Sequence, residues 1–123
     1  MTDPKPADWS RRLAAYKRPH LGRSLFELAL TGSALIALWA LGWVAFHVGH
    51  WWLALLIALP AAVFLVRLFM IQHDCGHGAF FEAKAANDWT GRVIGLFTLT
   101  PYDYWRRTHA MHHATSGNLD RRG

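Results

Sequence analysis

Five of the eight histidines in this chain fall into two tight clusters, His73 and His77 in HDCGHGAFF and His109, His112 and His113 in HAMHH. Neutral imidazole is the commonest metal ligand and binds iron, copper, zinc and nickel. On a helix, residues at i and i+4 lie about 40° apart around the axis. His73 and His77 therefore aim the same way, and the i+3 and i+4 offsets let His109, His112 and His113 share one face. Protonated imidazoles side by side repel, and burying them unpaired is costly; a metal removes both problems by binding the neutral rings. All five are candidate metal ligands. They outnumber what a single zinc needs, which points to an iron-type centre with more than one metal. His20, His47 and His50 stand alone and are assigned no function.

Each cluster follows a long apolar segment. Apolar residues make up 53% of the 123 residues, and they come in blocks. Leu25 to Phe46 carries one charge, Glu27, and Trp51 to Ile71 carries one, Arg67. About 20 apolar residues in a helix cross a bilayer core of about 30 Å, and each block is long enough. The alternative is a pair of all-round hydrophobic helices buried in a large soluble protein, but nothing else in the chain could cover them. The first block is also too long and too far from the start for a secretory leader. The expected fold is all-α: an integral membrane hairpin of two transmembrane helices, 25–46 and 51–72, plus interfacial helices carrying the histidines. Pro60 is expected to kink the second span.

Basic residues set the expected orientation. Lys5, Arg11, Arg12, Lys17, Arg18 and Arg23 precede the first span, and Lys84, Arg92, Arg106 and Arg107 follow the second. The linker His47-Val48-Gly49-His50 has no Lys or Arg. The positive-inside rule places both ends and both histidine clusters in the cytoplasm. The net charge of +5 fits a lipid-facing surface rather than nucleic-acid binding, because no basic stripe with base-stacking aromatics is present.

Residues 1–24 read as a basic arm, with a short interfacial helix expected over Trp9 to Lys17. Helix one is expected over Ser24 to Phe46, and helix two from Trp51 through His77. Ala79 to Arg92 reads as a segment in the membrane surface, and Val93 to Leu99 as a short interfacial or re-entrant stretch ended by Pro101. Tyr102 to Ala114 reads as the helix carrying the second cluster, stopped by Gly117 and Asn118. Cys75, the only cysteine, sits about 200° around a helix from His73 and is read as a packing residue. Asp74 is a candidate for orienting a ligating imidazole. For Asp103 and Asp120 that role and ordinary surface pairing stand level.

HDCGHGAFF, a preceding hydrophobic hairpin, and HAMHH within PYDYWRRTHAMHHATSGNLDRRG resemble the membrane fatty acid desaturases, and among them the acyl-lipid Δ12 (omega-6) type. The resemblance covers the chain from the first span onward. It implies a non-haem di-iron centre that uses O₂ to remove two hydrogens from an acyl chain and leave a cis double bond. It makes His73, His77, His109, His112 and His113 iron ligands. It implies a fatty acyl substrate, on lipid, CoA or a carrier protein, and electrons from ferredoxin or a cytochrome b5-type donor. It implies an integral membrane protein, in a bacterium of the inner membrane. The family carries a third HxxHH box after two further spans, whereas this chain stops at Gly123. Residues 25–123 are thus expected to be the N-terminal part of a desaturase domain, one that alone binds iron weakly or not at all and does not desaturate. Histidine-box hydroxylases of alkanes or carotenoids share the chemistry and compete with this reading. A metallopeptidase, with Asp74 in place of the HExxH glutamate, and a haem-binding electron-transfer subunit are the more distant rivals.

Overall fold

The computed structural model describes residues 18–118 and residue 120; the segment over Trp9 to Lys17 lies outside the described residues. The described residues are all-α, with helices α1 (Leu21–His47), α2 (Trp51–Gly76), α3 (Lys84–Phe97) and α4 (Tyr102–Thr115). α1 begins three residues before the expected Ser24. His20 caps it: its Nδ1 accepts from the Arg23 N–H at 3.3 Å, satisfying a donor that a helix start otherwise leaves unpaired. The helix ends at a tight reversal. Gly49 takes φ +84°, its N–H donates to the Phe46 carbonyl at 3.2 Å, and the His50 N–H donates to the Ala45 carbonyl at 2.9 Å. These two bonds tie off the last carbonyls of α1 and turn the chain back within four residues.

α1 and α2 pack as an antiparallel hairpin along a seam of Leu35, Ala45, Ala61 and Leu68. The rest of their surface is apolar and exposed, including Ile36, Trp43, Leu55, Leu59 and Val63. Both are long and apolar enough to cross a bilayer, and lipid is the solvent in which helices apolar on all sides are stable. Pro60 lies inside α2, which continues as helix on either side of it. The two charges within the spans find each other. The Arg67 guanidinium pairs with the Glu27 carboxylate, and its Nε donates to the Thr31 hydroxyl at 2.9 Å. An intramembrane charge is tolerated when paired in this way.

α2 ends at Gly76, one residue short of the expected His77, which instead caps it. Gly78 has φ +68°. Its N–H donates to the Cys75 carbonyl at 3.0 Å, and the Ala79 N–H donates to the Asp74 carbonyl at 2.9 Å. This left-handed stop suits glycine, which has no Cβ to clash. The loop that follows is stapled from two sides. Ser24 at the start of α1 donates to the Phe80 carbonyl at 2.6 Å. The buried Asn87 amide accepts from the Phe81 N–H at 3.0 Å and donates to the Phe81 carbonyl at 2.7 Å.

The surface segment and the short apolar stretch expected over residues 79–99 merge into one helix, α3. Its inner face carries Asn87, Gly91, Ile94 and Gly95, and its outer face exposes Trp89, Val93 and Leu96. The glycines do not interrupt it because they lie where neighbours press close. A Cβ on Gly91 would stand 2.2 Å from the Tyr102 ring, and one on Gly95 would stand 2.6 Å from the Thr100 carbonyl oxygen. The turn into α4 passes through Leu99 at φ +52°, with the Thr100 N–H donating to the Gly95 carbonyl at 3.0 Å. α4 runs one residue past the expected Ala114, and Gly117 follows at φ +85°.

Candidate metal centre

The last turn of α2 and the middle of α4 meet at their histidines. His73 and His77 Nε2 lie 3.3 Å apart, His77 and His109 Nε2 3.1 Å, and His109 and His73 Nε2 3.1 Å. His113 Nε2 joins at 3.0 Å from His109, and the ligand atoms of all four fall within 4.8 Å of one another. Such spacings can be tested against coordination geometry. Imidazole nitrogens about 2.1 Å from one metal are about 3.0 Å apart at a right angle and about 3.4 Å apart at the tetrahedral angle. The three edges of the His73–His77–His109 triangle fall inside that interval. A set of all-nitrogen donors suits a first-row transition metal such as iron, zinc, copper or nickel. The residues present therefore fit a metal ion.

The local environment favours the ligating form. Partial desolvation, then the neighbouring His73 and His113 rings, push the His77 pKa below the ordinary imidazole value. His109 is lowered the same way, by desolvation first and then by His113, His73 and His77. Both rings thus prefer to be neutral, as a metal ligand must be.

His112, the fifth candidate, is not in this group. Its ring centroid is 6.4 Å from that of His109 and 6.1 Å from that of His113, and it is exposed. On α4 it sits about 60° from His109 on the side away from His113. Asp74 Oδ1 lies 3.3 Å from His73 Nδ1, on the opposite ring edge from the converging Nε2 atoms. A carboxylate at that edge is placed to accept from an Nδ1–H. With that placement Asp74 does not stand at the converging nitrogens, where the general base of a metallopeptidase would have to be. Nor can three nitrogens on one small triangle flank a porphyrin from its two faces. Asp103 pairs instead with Arg92, at 2.9 and 3.2 Å, and the Asp120 backbone N–H donates to Asn118 Oδ1 at 3.0 Å. Cys75 is 1% exposed and faces the core.

Several residues that build the site gave little sequence signal. Gln72, fully buried beside His73, accepts from the Thr98 hydroxyl at 2.7 Å and fixes the end of α3 to α2. The Tyr102 hydroxyl donates to the Cys75 carbonyl at 3.1 Å, tying the start of α4 to the end of α2. Asp88 on α3 pairs with Lys84 and accepts from Arg106 of α4 at 2.7 Å. Lys84, the largest cause, holds its carboxyl below the usual range. Buried polar groups on all sides of the α2 terminus thus have partners, as a rigid site requires.

The sequence profile described as fatty acid desaturase matches residues 50–122. The fatty acid desaturase of Bacillus subtilis (strain 168) is 40% identical over 119 residues, covering 97% of this chain and 34% of that protein. The sn-1 acyl-lipid omega-3 desaturase (ferredoxin) of Synechocystis sp. is 34% identical over 102 residues, covering 83% of this chain and 28% of that protein. The acyl-lipid omega-3 desaturase (cytochrome b5), endoplasmic reticulum, of Arabidopsis thaliana is 34% identical over 86 residues, or 70% and 22% of the two chains. This chain spans about a third or less of the length of these relatives. No solved structure matches it significantly. The profile covers more than half of the chain and takes in both histidine clusters that meet at the end of α2; the chain belongs to the fatty acid desaturase family.

Proposed function

We propose that this chain forms the first part of a membrane fatty acid desaturase, in which the histidines of α2 and α4 hold iron for oxygen-dependent removal of two hydrogens from an acyl chain. The observation that carries this reading is the triangle of Nε2 atoms at 3.1–3.3 Å. The balanced reaction converts –CH₂–CH₂–, O₂, two electrons and two protons into –CH=CH– and two waters. Bound iron supplies the oxygen activation. The chain's own residues contribute ligands and shelter. His73, His77, His109 and His113 present neutral nitrogens, and Asp74 holds the His73 ring. The apolar hairpin keeps the site at the edge of the lipid, where an acyl chain can reach it and bulk water is excluded.

The ligand count defines what these residues supply. Two irons want about five or six ligands each, while the chain brings four converging imidazoles and His112 nearby. We therefore assign residues 25–123 to the N-terminal part of the catalytic domain and residues 1–24 to a basic arm. A complete two-iron centre takes further donors, and the 123 residues by themselves do not desaturate. The substrate is a fatty acyl group, carried on lipid, CoA or a carrier protein. The electron donor is of the ferredoxin or cytochrome b5 type, the two kinds named for the Synechocystis and Arabidopsis relatives. The basic residues flanking the spans support an integral membrane protein of a bacterial inner membrane, with its N-terminus and histidines in the cytoplasm.

The test is metal analysis of the purified chain, with gas chromatography of acyl chains from membranes expressing it. We expect the 123-residue chain to bind iron weakly at most, any bound iron to be lost in the His73→Ala/His109→Ala pair, and no new double bond. Iron that is bound by the chain and retained by the paired variant would overturn the assignment of the site. Oxygen-dependent unsaturation by the chain alone would overturn the ligand-count argument.

A further inference from the structure

We infer that Trp105 is a positioning residue for the metal site, seated in a notch made by Gly76 so that its ring sets the separation of the two histidine clusters. The inference rests on the reading of those histidines as metal ligands. Phe69, His73 and Gly76 follow one another at i, i+4 and i+7 along one face of α2, and Trp105 and His109 stand at i and i+4 on α4. The indole lies in the angle between the two helices. Its ring stacks on His109 at 4.6 Å and 15°, meets His73 at 5.8 Å, and takes Phe69 edge-on at 5.5 Å and 77°. One ring thus packs against a histidine from each cluster.

The close approach depends on Gly76. A Cβ there would stand 2.7 Å from Trp105 Cζ3 and 3.4 Å from Cη2, the first far inside contact distance. Glycine between two ligating histidines lowers helix propensity, which runs against the rigidity a ligand helix needs. The notch accounts for it. With any larger residue the indole must lift away from α2, carrying His109 with it and opening the 3.1 Å edges it shares with His73 and His77. The indole makes no ligand bond of its own. It acts through His109, by fixing the ring plane from which Nε2 points, as the partners behind metal ligands do elsewhere.

The probe is Co²⁺ titrated into the 123-residue chain in detergent micelles. Visible ligand-field absorption reports coordination geometry, and far-UV circular dichroism reports fold. Trp105→Ala is expected to weaken Co²⁺ binding about 10- to 100-fold and to change the band shape at unchanged helicity. Trp105→Phe, which keeps a flat ring, should restore most of both. Gly76→Ala should weaken binding when Trp105 is present and do nothing further in the Trp105→Ala background, because the clash has lost its partner. Equal affinity and spectrum in wild type, Trp105→Ala and Gly76→Ala would refute the positioning role alone. If Trp105→Ala fails to fold, Gly76→Ala and Trp105→Phe decide the question by the same criteria. A wild-type chain that binds no Co²⁺ would remove the metal-site reading itself, and this inference with it.

Discussion

Replacing Gly91 by alanine sets two physical effects against each other, and the structure decides the sign. Gly91 sits inside α3, where alanine is the better helix former by roughly 1 kcal/mol. On propensity alone the substitution stabilises. The new methyl, however, would stand 2.2, 2.5 and 2.7 Å from three carbons of the Tyr102 ring. That ring is 3% exposed, and its hydroxyl donates to the Cys75 carbonyl at 3.1 Å. To reach ordinary contact the ring must retreat by about 1 Å, and forced overpacking of this kind costs about 1–3 kcal/mol. The retreat also stretches the hydroxyl bond, worth about 1 kcal/mol. The net expectation is a loss of about 1–3 kcal/mol.

Gly32 provides the control. It too is helical, but a Cβ there meets nothing within 4 Å, so Gly32→Ala should be neutral or stabilise by up to about 1 kcal/mol. The assay is reversible unfolding in mixed micelles titrated with SDS, followed by circular dichroism and tryptophan fluorescence. Gly91→Ala as stable as wild type would refute the account of α3 packing, and with it the claim that Tyr102 locks α4 onto α2.

Two further perturbations probe the frame. Arg67→Leu strands the Glu27 carboxylate within the span and should cost about 2–4 kcal/mol. The Glu27→Leu/Arg67→Leu pair should recover most of that in the same unfolding assay, and a double variant no better than the single one would contradict the pairing. Acid should loosen α3 from α4. Asp88 is held below its ordinary 3.8, chiefly by Lys84, so the unfolded chain binds more protons than the folded one across that range. Its contribution is complete above about pH 3.8 and is lost as the pH falls below that value through the folded pKa. Near-ultraviolet circular dichroism should show this acid limb in wild type and a shallower one in Asp88→Asn; an unchanged limb would show that Asp88 does not carry it.

What the sequence made legible is what recurs at short spacing. The hairpin follows from two apolar blocks separated by four residues. The i, i+4 pairs His73/His77 and His109/His113 project together because helix geometry requires it. His112 shows where that logic stops. An i+3 neighbour of His109 fits a broad face, yet the approach of α2 comes from the His113 side, and spacing within α4 alone could not say which side that would be. The long-range ties were illegible for a similar reason. Gln72 to Thr98, Tyr102 to Cys75 and Asp88 to Arg106 join positions 26, 27 and 18 residues apart, and no periodicity links them. One such tie did leave a trace. Glu27 and Arg67 are the lone charges of their blocks, 22 residues before and 18 after Gly49 at the reversal. At 1.5 Å per residue their depths differ by about 6 Å, within reach of an arginine side chain. Opposite charges at matched depth in adjoining spans have little else to pair with. Gly76 and Gly91 left a subtler trace, since in sequence they read as weak points in helices. Packing turns them into the two places where α4 sets an aromatic ring, Trp105 and Tyr102, against its neighbours.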